Sequence, residues 1–485
     1  MKVDSRIDGI DPGRAIDAIF VNSPLKDYDR QPRLNDFTLP VLGLGYLATY
    51  AQTDFNVGVL DTEAHGIGLG VAAGIINDAR PRWVGMNLLA PTYEHSVTLL
   101  RQIDDTVRVM LGGHQAKAMP HEILADRRIP RIDALVLGEA DTRASALLGD
   151  DSAREHLPGV LWRSGTGRLK ASDASRPAGH WLAPNLDELP ILERRFLADD
   201  PFRASDGRLE SAVVGSRGCP YDCSFCGAAR SANQGESWRM RSGANILAEL
   251  EALRTLHGVD AVRFVDDLFL AHPRFMRSCL GLFEEANVAD SFVWDATGRI
   301  NVLSRADDAL LDQMVRAGCR EVALGVESGS ERLLKYMGKR ITPAMTELAV
   351  ERLTRRGIHV KGYFILGFPT ETAQELQATE RHVHRLWQIA DSGPGNFRAS
   401  AFEFRPYPGT PEWHRLIADG RYTPDQLMAY EHIDLATHGA NDAMRERDEF
   451  NFSVGIQFGE TSVRAVREAL VRITVAQRER KVAVP

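Results

Sequence analysis

Short apolar runs of strand length recur along this chain with helix-patterned segments between them. That alternation restricts it to parallel-sheet architectures, because parallel strands need a long crossover to return to the same edge. In the first 150 residues the strand-like runs are 18–22, 56–61, 83–87, 107–112 and 134–138, with helical spacing at 42–52 and 93–104. They predict a doubly wound, Rossmann-like α/β sheet, whose ligands bind beyond the carboxyl ends of its strands. Those ends carry Asp61, then Asn87, Leu88 and Leu89, then Gly112, Gly113 and His114, and finally Gly138 and Glu139. From residue 211 the spacing widens. Strand candidates are 212–216, 261–265, 292–296, 321–326, 359–365 and 398–404, and amphipathic helices fit at 244–256, 273–286, 307–317 and 371–390. Six βα units are too few to close an eightfold barrel and predict a partial (β/α)6 TIM-type barrel, with its site at the carboxyl-terminal mouth. The expected domains are 1–150, a connector at 151–205, a barrel at 206–425 and a small helical C-terminal extension at 426–485. The connector reads as a hairpin at 159–172 and a Pro-bounded strap at 184–190; the extension carries a helical pattern at 460–478.

The 58 basic and 66 acidic residues give a formal net charge of -8, which offers no electrostatic case for a nucleic-acid or membrane partner. The first residues carry acids early and no apolar core, and no run approaches bilayer length, so a soluble, cytoplasmic protein is expected. Only five cysteines occur, three of them between 219 and 226. A disulfide framework would spread paired cysteines through a small secreted domain; this pattern fits a metal site in a reducing compartment.

The cysteine segment, Cys219-x-x-x-Cys223-x-x-Cys226, follows the first strand of the second half. Thiolates are the ligands that iron–sulfur clusters require. Three on one loop can bind three irons and leave the fourth open to substrate. A closed zinc site is the alternative, but it wants a fourth ligand nearby, and the next candidates are His257 and Cys279. Cys279 and Cys319 fall in helical patterns and read as buried hydrophobes.

C-x-x-x-C-x-aromatic-C at the end of a first barrel strand resembles the signature of the radical S-adenosylmethionine (SAM) superfamily. The resemblance implies that Cys219, Cys223 and Cys226 ligate a 4Fe–4S cluster, that Phe225 packs near the adenine, and that the open iron chelates the methionine end of SAM. Reduction, from a donor such as flavodoxin or ferredoxin, then cleaves SAM to a 5′-deoxyadenosyl radical, the cofactor carrying the hard chemistry. Other strand ends fit that family in order and spacing over about residues 211–415. Asp266 or Asp267, after the second strand, accepts a hydrogen bond from the SAM amino group; solvated loop acids are the alternative. The family often has Gly-Gly-Glu there, whereas this chain has Asp-Asp-Leu-Phe. Arg299 pairs with the SAM carboxylate or lies in a surface ion pair. Glu327 and Ser328 suit the ribose. Phe364, Leu366 and Gly367 resemble the adenine site on the fifth strand. Tyr363, Glu403, Arg405 and Tyr407 are the substrate-side candidates.

The first half resembles the cobalamin-binding domain fused ahead of such barrels, through Asp61, Glu63, Leu88, Leu89, Gly112, Gly113, His114, Gly138 and Glu139. Glycines at strand ends let backbone approach the corrin and nucleotide tail. Domains that ligate cobalt through His use D-x-H-x-x-G; here Glu63 stands at that place and His65 is offset by two, so no lower cobalt ligand is assigned. A doubly wound domain without cobalamin is the alternative. The expected activity is a cobalamin-dependent methyltransferase acting on a carbon of a small natural-product intermediate, as in antibiotic biosynthesis. Two other readings stand beside it: a non-methylating radical SAM enzyme (dehydration or deoxygenation, cyclisation or epimerisation), and a cobalamin or iron–sulfur sensor without turnover.

Overall fold

A computed structural model describes residues 4–30, 38–172, 185–204, 206–233, 236–432 and 452–480. The first sheet has the order β2-β1-β3-β4-β5-β6-β7. Its parallel strands are β1 (Ala18–Asn22), β2 (Val57–Asp61), β3 (Trp83–Asn87), β4 (Arg108–Gly112) and β5 (Ala134–Val136). The chain reverses direction across the sheet between β1 and β3, so a crevice opens there beyond their carboxyl ends. Asp61, Asn22, Asn87 and Gly112 stand in one row across those ends by register. Both faces of the sheet are apolar and covered by helices, one core gathering Ile19, Val84 and Leu111, the other Phe20, Trp83 and Met110. The hairpin expected at 159–172 forms as β6 (Val160–Arg163) and β7 (Leu169–Ala171), and it extends this sheet as an antiparallel edge. Of the strap that follows, Pro184 lies outside the described residues.

The second sheet runs β16-β15-β14-β13-β12-β9-β8. Antiparallel β8 (Phe202–Arg203) precedes six parallel strands: β9 (Leu209–Val213), β12 (Ala261–Phe264), β13 (Val293–Gly298), β14 (Cys319–Glu327), β15 (His359–Leu366) and β16 (Phe397–Glu403). A short ribbon, β10 (Ser216–Arg217) with β11 (Arg239–Met240), frames the cysteine loop. The first barrel strand lies three residues earlier than the apolar pattern suggested, because the run continues into the ribbon. Helices pack outside the parallel strands. Pro273–Glu285 begins on a proline and buries Met276, Cys279, Leu280 and Phe283, one stripe at i, i+3, i+4 and i+7. Ala373–Ala390 starts in a capping box made by Thr372 and Glu375.

The sheet stays open, its ends β8 and β16 unpaired with each other among the described residues. The helix Val463–Glu479 packs Val466, Ala469, Leu470 and Ile473 into the barrel's outer core beside the last strand. Its Gln477 Oε1 accepts hydrogen bonds from the Ala399 backbone N–H at 2.8 Å and from Trp387 Nε1 at 2.9 Å. The tail therefore covers an edge that would otherwise present an unpaired donor. Each large aliphatic side chain buried this way is worth about 1.5–3 kcal/mol. Among the described residues no helix is long and apolar enough to cross a membrane.

Candidate functional site

The loop between β10 and β11 is built by its own hydrogen bonds. Cys226 N–H donates to Cys223 O at 3.1 Å, Ala229 N–H to Cys226 O at 3.0 Å and Arg230 N–H to Tyr221 O at 2.9 Å. Asp222 accepts from the Ser231 N–H at 3.0 Å and from its hydroxyl at 2.5 Å, and Asn233 donates to Gly227 O and Ala229 O at 2.8 Å each. The loop is then clamped to the barrel: Ser224 N–H donates to Met337 O, and Glu412 N–H to Ser224 O. Cys219, Cys223 and Cys226 are free thiols whose charges act on one another, so they share one neighbourhood. Burial pushes the Cys226 thiol up to about 12 and raises that of Cys219. Thiolates at these positions therefore need a cationic centre to hold them ionised. The fourth-ligand candidates for zinc lie elsewhere, Cys279 in the hydrophobic core and His257 at the exposed end of the helix Gly243–His257.

Arg299 is buried beside this loop rather than paired at the surface. It donates to Cys223 Sγ at 3.4 Å and to Lys339 O at 2.7 Å, and its guanidinium carbon sits 3.6 Å from the centre of the Tyr221 ring. Its Nε is buried without a hydrogen-bond partner among the described residues. Asp266 is buried too, one oxygen accepting from Gly215 N–H at 3.1 Å and the other without a partner among the described residues, and burial pushes its pKa up to about 6. Asp267 turns the other way and is exposed in the cleft, though enough protein surrounds its carboxyl for desolvation to raise its pKa against the pull of His114. The spare donor of Arg299 and the carboxylate of Asp267, whose charges act on the cysteine thiols, are what a charged ligand would complete.

At the end of β14, Glu327 has φ 66°, a left-handed conformation costly for a residue with a side chain. Lys339 Nζ holds its carboxylate at 2.6 Å and lies 5.9 Å from the Phe225 ring centre. Lys339 was not among the sequence candidates, since an isolated lysine in a loop carries no motif. A Cβ on Gly325 would lie 2.3 Å from Glu327 Oε1 and 2.4 Å from Lys339 Nζ, so a larger residue there would have to displace this ion pair. Four expected contacts turn away. Ser328 is fully buried with its hydroxyl 3.1 Å from that of Thr379. Phe364 and Leu366 are fully buried in the helix-facing core, as strand alternation demands once Tyr363 and Ile365 take the inner face. Gly367 N–H is taken by Glu371 at 2.6 Å.

On the substrate side, Tyr363 is half-buried 6.0 Å from Phe402, and Arg405 lies over both Phe402 and Tyr407. Glu403 serves the tail, accepting from Ser453 Oγ and from Arg467 Nε at 3.1 Å. Tyr407 stacks on Tyr430, whose hydroxyl donates to Pro406 O at 2.6 Å.

At the carboxyl ends of the first sheet the side chains are mostly spent on holding loops. Asp61 accepts from Asn22 Nδ2 at 2.9 Å, and burial pushes its pKa up to about 6. Glu63 accepts from Leu25 N–H at 2.7 Å and the Tyr28 hydroxyl at 2.6 Å. His65 pairs with Asp8 at 2.9 Å. Leu88 is fully buried, while Leu89 and Gly112 are half-buried and His114 is exposed. Gly113 has φ 92°, and a Cβ there would lie 2.2 Å from Asn87 Oδ1 and 2.7 Å from Leu88 O, so only glycine fits. Gly138 also has positive φ, 78°. At the β1/β3 crevice a cavity of about 310 Å³ is lined by Lys26, Arg30, Pro91 and His95, with Met428, Tyr430 and Phe452 from the far end of the chain.

The two halves meet through ions. Arg217, next to the cysteine loop, binds Asp141 through both nitrogens at 2.8 and 3.1 Å and lies 3.3 Å from Glu139. Arg239 binds Glu139 as well, and Lys117 reaches Asn233 at 2.7 Å and Glu236 at 2.6 Å. Glu139, expected at the cofactor, is thus a brace between the halves.

The radical SAM superfamily profile matches residues 213–383, and that of the B12 binding domain matches 36–148. An uncharacterized methyltransferase of Pyrococcus horikoshii is 32% identical over 82% of this chain and 83% of its own length. The chain belongs to the cobalamin-binding radical SAM enzymes. Its cofactors are accordingly a 4Fe–4S cluster, SAM and cobalamin. The cytidylyl-2-hydroxyethylphosphonate methyltransferase of Streptomyces wedmorensis is 25% identical over 80% of this chain and 79% of its own. The radical SAM methyltransferase TsrM of Kitasatospora setae, solved with tryptophan and a SAM analogue, shares the fold: TM-score 0.65 and 19% identity, over 86% of this chain and 78% of that one.

Proposed function

We propose that this radical SAM enzyme transfers a methyl group to a carbon of a small-molecule substrate held between the carboxyl ends of its two sheets. The observation that carries the reading is the ionic seam just described. It fixes the cysteine loop of one half against the strand ends of the other, so that Asp267 and His114 face the same cleft. Relatives named as methyltransferases support the choice of reaction. When bound, the cluster and SAM supply a radical that takes a substrate hydrogen, and cobalamin carries the methyl group.

The chain's own residues divide that work. Cys219, Cys223 and Cys226 present three sulfurs to the cluster. Arg299, with a donor to spare, and Asp267 are placed for the carboxylate and amino groups of SAM. Glu327, held by Lys339, and Phe225 flank the nucleoside. Gly112, Gly113 and Gly138 offer backbone to the corrin, and the cavity at the β1/β3 crevice takes part of its tail. Tyr363, Arg405 and Tyr407 line the substrate side. A flavodoxin- or ferredoxin-type protein is the electron donor, in the reducing cytoplasm that five free thiols suit. The pathway is one of natural-product, for instance antibiotic, synthesis.

The test is to incubate reduced, cobalamin-loaded enzyme with SAM. Release of S-adenosylhomocysteine as well as 5′-deoxyadenosine is expected; 5′-deoxyadenosine alone, with cobalamin bound, would remove methyl transfer.

A further inference from the structure

Strand β15 alternates cleanly. Val360, Phe364 and Leu366 enter the helix-facing core, which leaves Lys361, Tyr363 and Ile365 on the inner face of the barrel. Lys361 is only 2% exposed. Among the described residues its ammonium has neither an ion-pair partner nor a hydrogen-bond acceptor; its contact is the Tyr363 ring, 4.8 Å from Nζ to the centroid.

The charges around it are otherwise matched. Arg398, its register partner on β16, binds both oxygens of Glu321 at 2.8 and 2.6 Å. On the floor of the barrel Arg320 binds Asp295 at 2.5 Å and Glu210 at 3.0 Å, and Arg263 binds Glu210 at 3.0 Å. His359 accepts the Asn396 N–H through Nδ1, and burial lowers its pKa, which favours the neutral ring. Three arginines thus meet three carboxylates, and Lys361 is the cation left over. Taking an ammonium out of water without a partner is strongly unfavourable, and one aromatic face offsets little of it. The neighbours across from it are small, Ala323 on β14 beside Lys361, and Gly325 and Ser400 beside Tyr363.

We propose that Lys361 anchors an anionic oxygen group of the substrate, a carboxylate or a phosphonate or phosphate, inside the barrel. The inference rests on the methyl-transfer reading of this site and narrows its substrate class to anions. The ligand supplies the missing counter-charge, and the Tyr363 ring flanks the carbon skeleton above it.

Anion binding is read without turnover, on full-length enzyme carrying cluster and cobalamin. Its thermal midpoint is titrated with acetate and with methylphosphonate, against chloride at matched ionic strength. One or both anions should raise the midpoint of the wild type. Lys361→Met should need a concentration about tenfold higher or more for the same rise, as expected for loss of a charge-assisted hydrogen bond. Lys361→Arg should recover part of the response. A stronger response to acetate assigns a carboxylate, and the reverse a phosphonate or phosphate. No anion-specific response in the wild type, or an unchanged one in Lys361→Met, overturns the proposal. If Lys361→Met loses iron or cobalamin, Lys361→Gln is read in its place by the same criteria. Because no methyl group moves in this test, its failure leaves the methyl-transfer reading standing. Conversely, an enzyme that does not methylate still reports whether the anion site exists.

Discussion

On the barrel side of the cleft the residues that matter are side chains: three thiols on a short loop, a buried guanidinium with an unmet donor, and a carboxylate turned into the open. On the side of the first sheet the side chains at the strand ends already have partners, as Asp61, Glu63 and Glu139 show, and what is left to offer is backbone at glycines. A cluster needs ligands of a given chemistry, whereas a large flat cofactor needs space and close approach. The two halves of one active site therefore have different tolerances to substitution, and the difference can be broken at either end.

The largest expected effect is at the loop. Cys223→Ala should abolish cluster binding and bring 5′-deoxyadenosine formation to background while cobalamin still binds; iron content and absorption spectra check both. The mirror experiment is Gly113→Val. The close approach to Asn87 and Leu88 and the positive φ make it cost about 1–3 kcal/mol locally, and it should strip cobalamin while leaving iron content near wild type. If Gly113→Val retains cobalamin, the contrast between side-chain and backbone recognition fails. Next comes the seam. Glu139→Ala removes the seam contacts that Glu139 makes with Arg217 and Arg239, so methyl transfer should fall several-fold relative to SAM cleavage, measured as the ratio of S-adenosylhomocysteine to 5′-deoxyadenosine.

The smallest effect is a pH dependence. Burial holds Asp61 at about 6 in the folded chain against 3.8 as the ordinary value, so the folded state binds the proton more tightly than the unfolded one. The resulting penalty is absent below the unfolded value, grows as pH rises through the interval and is complete above about 6, on the order of 3 kcal/mol. Asp61→Asn should flatten the fall in stability of the cofactor-free protein between pH 4 and 7, read by denaturant unfolding.

The fold was legible because alternating apolar periods dictate parallel crossovers, and the three cysteines because their spacing has one main chemical use. What the sequence hid was pairing. The acidic residue after β5 and the arginines flanking the cysteine loop are about 80 to 100 positions apart, and no local pattern announces that they meet. The adenine-side expectation at Phe364 and Leu366 failed for a simpler reason, since a strand shows alternate residues to each face and the inner set is Tyr363 and Ile365. Asp266 and Asp267 were interchangeable as letters; only the fold turns one to the backbone of Gly215 and the other to the cleft.

The central claim is that one cleft serves both cofactors. Electron paramagnetic resonance of the anaerobic enzyme, with the cluster reduced and cobalamin in its paramagnetic cobalt(II) form, tests it most directly. Magnetic coupling between the two centres is the expected result, abolished in Cys223→Ala. Two independent, uncoupled signals in a protein that carries both cofactors would contradict the account.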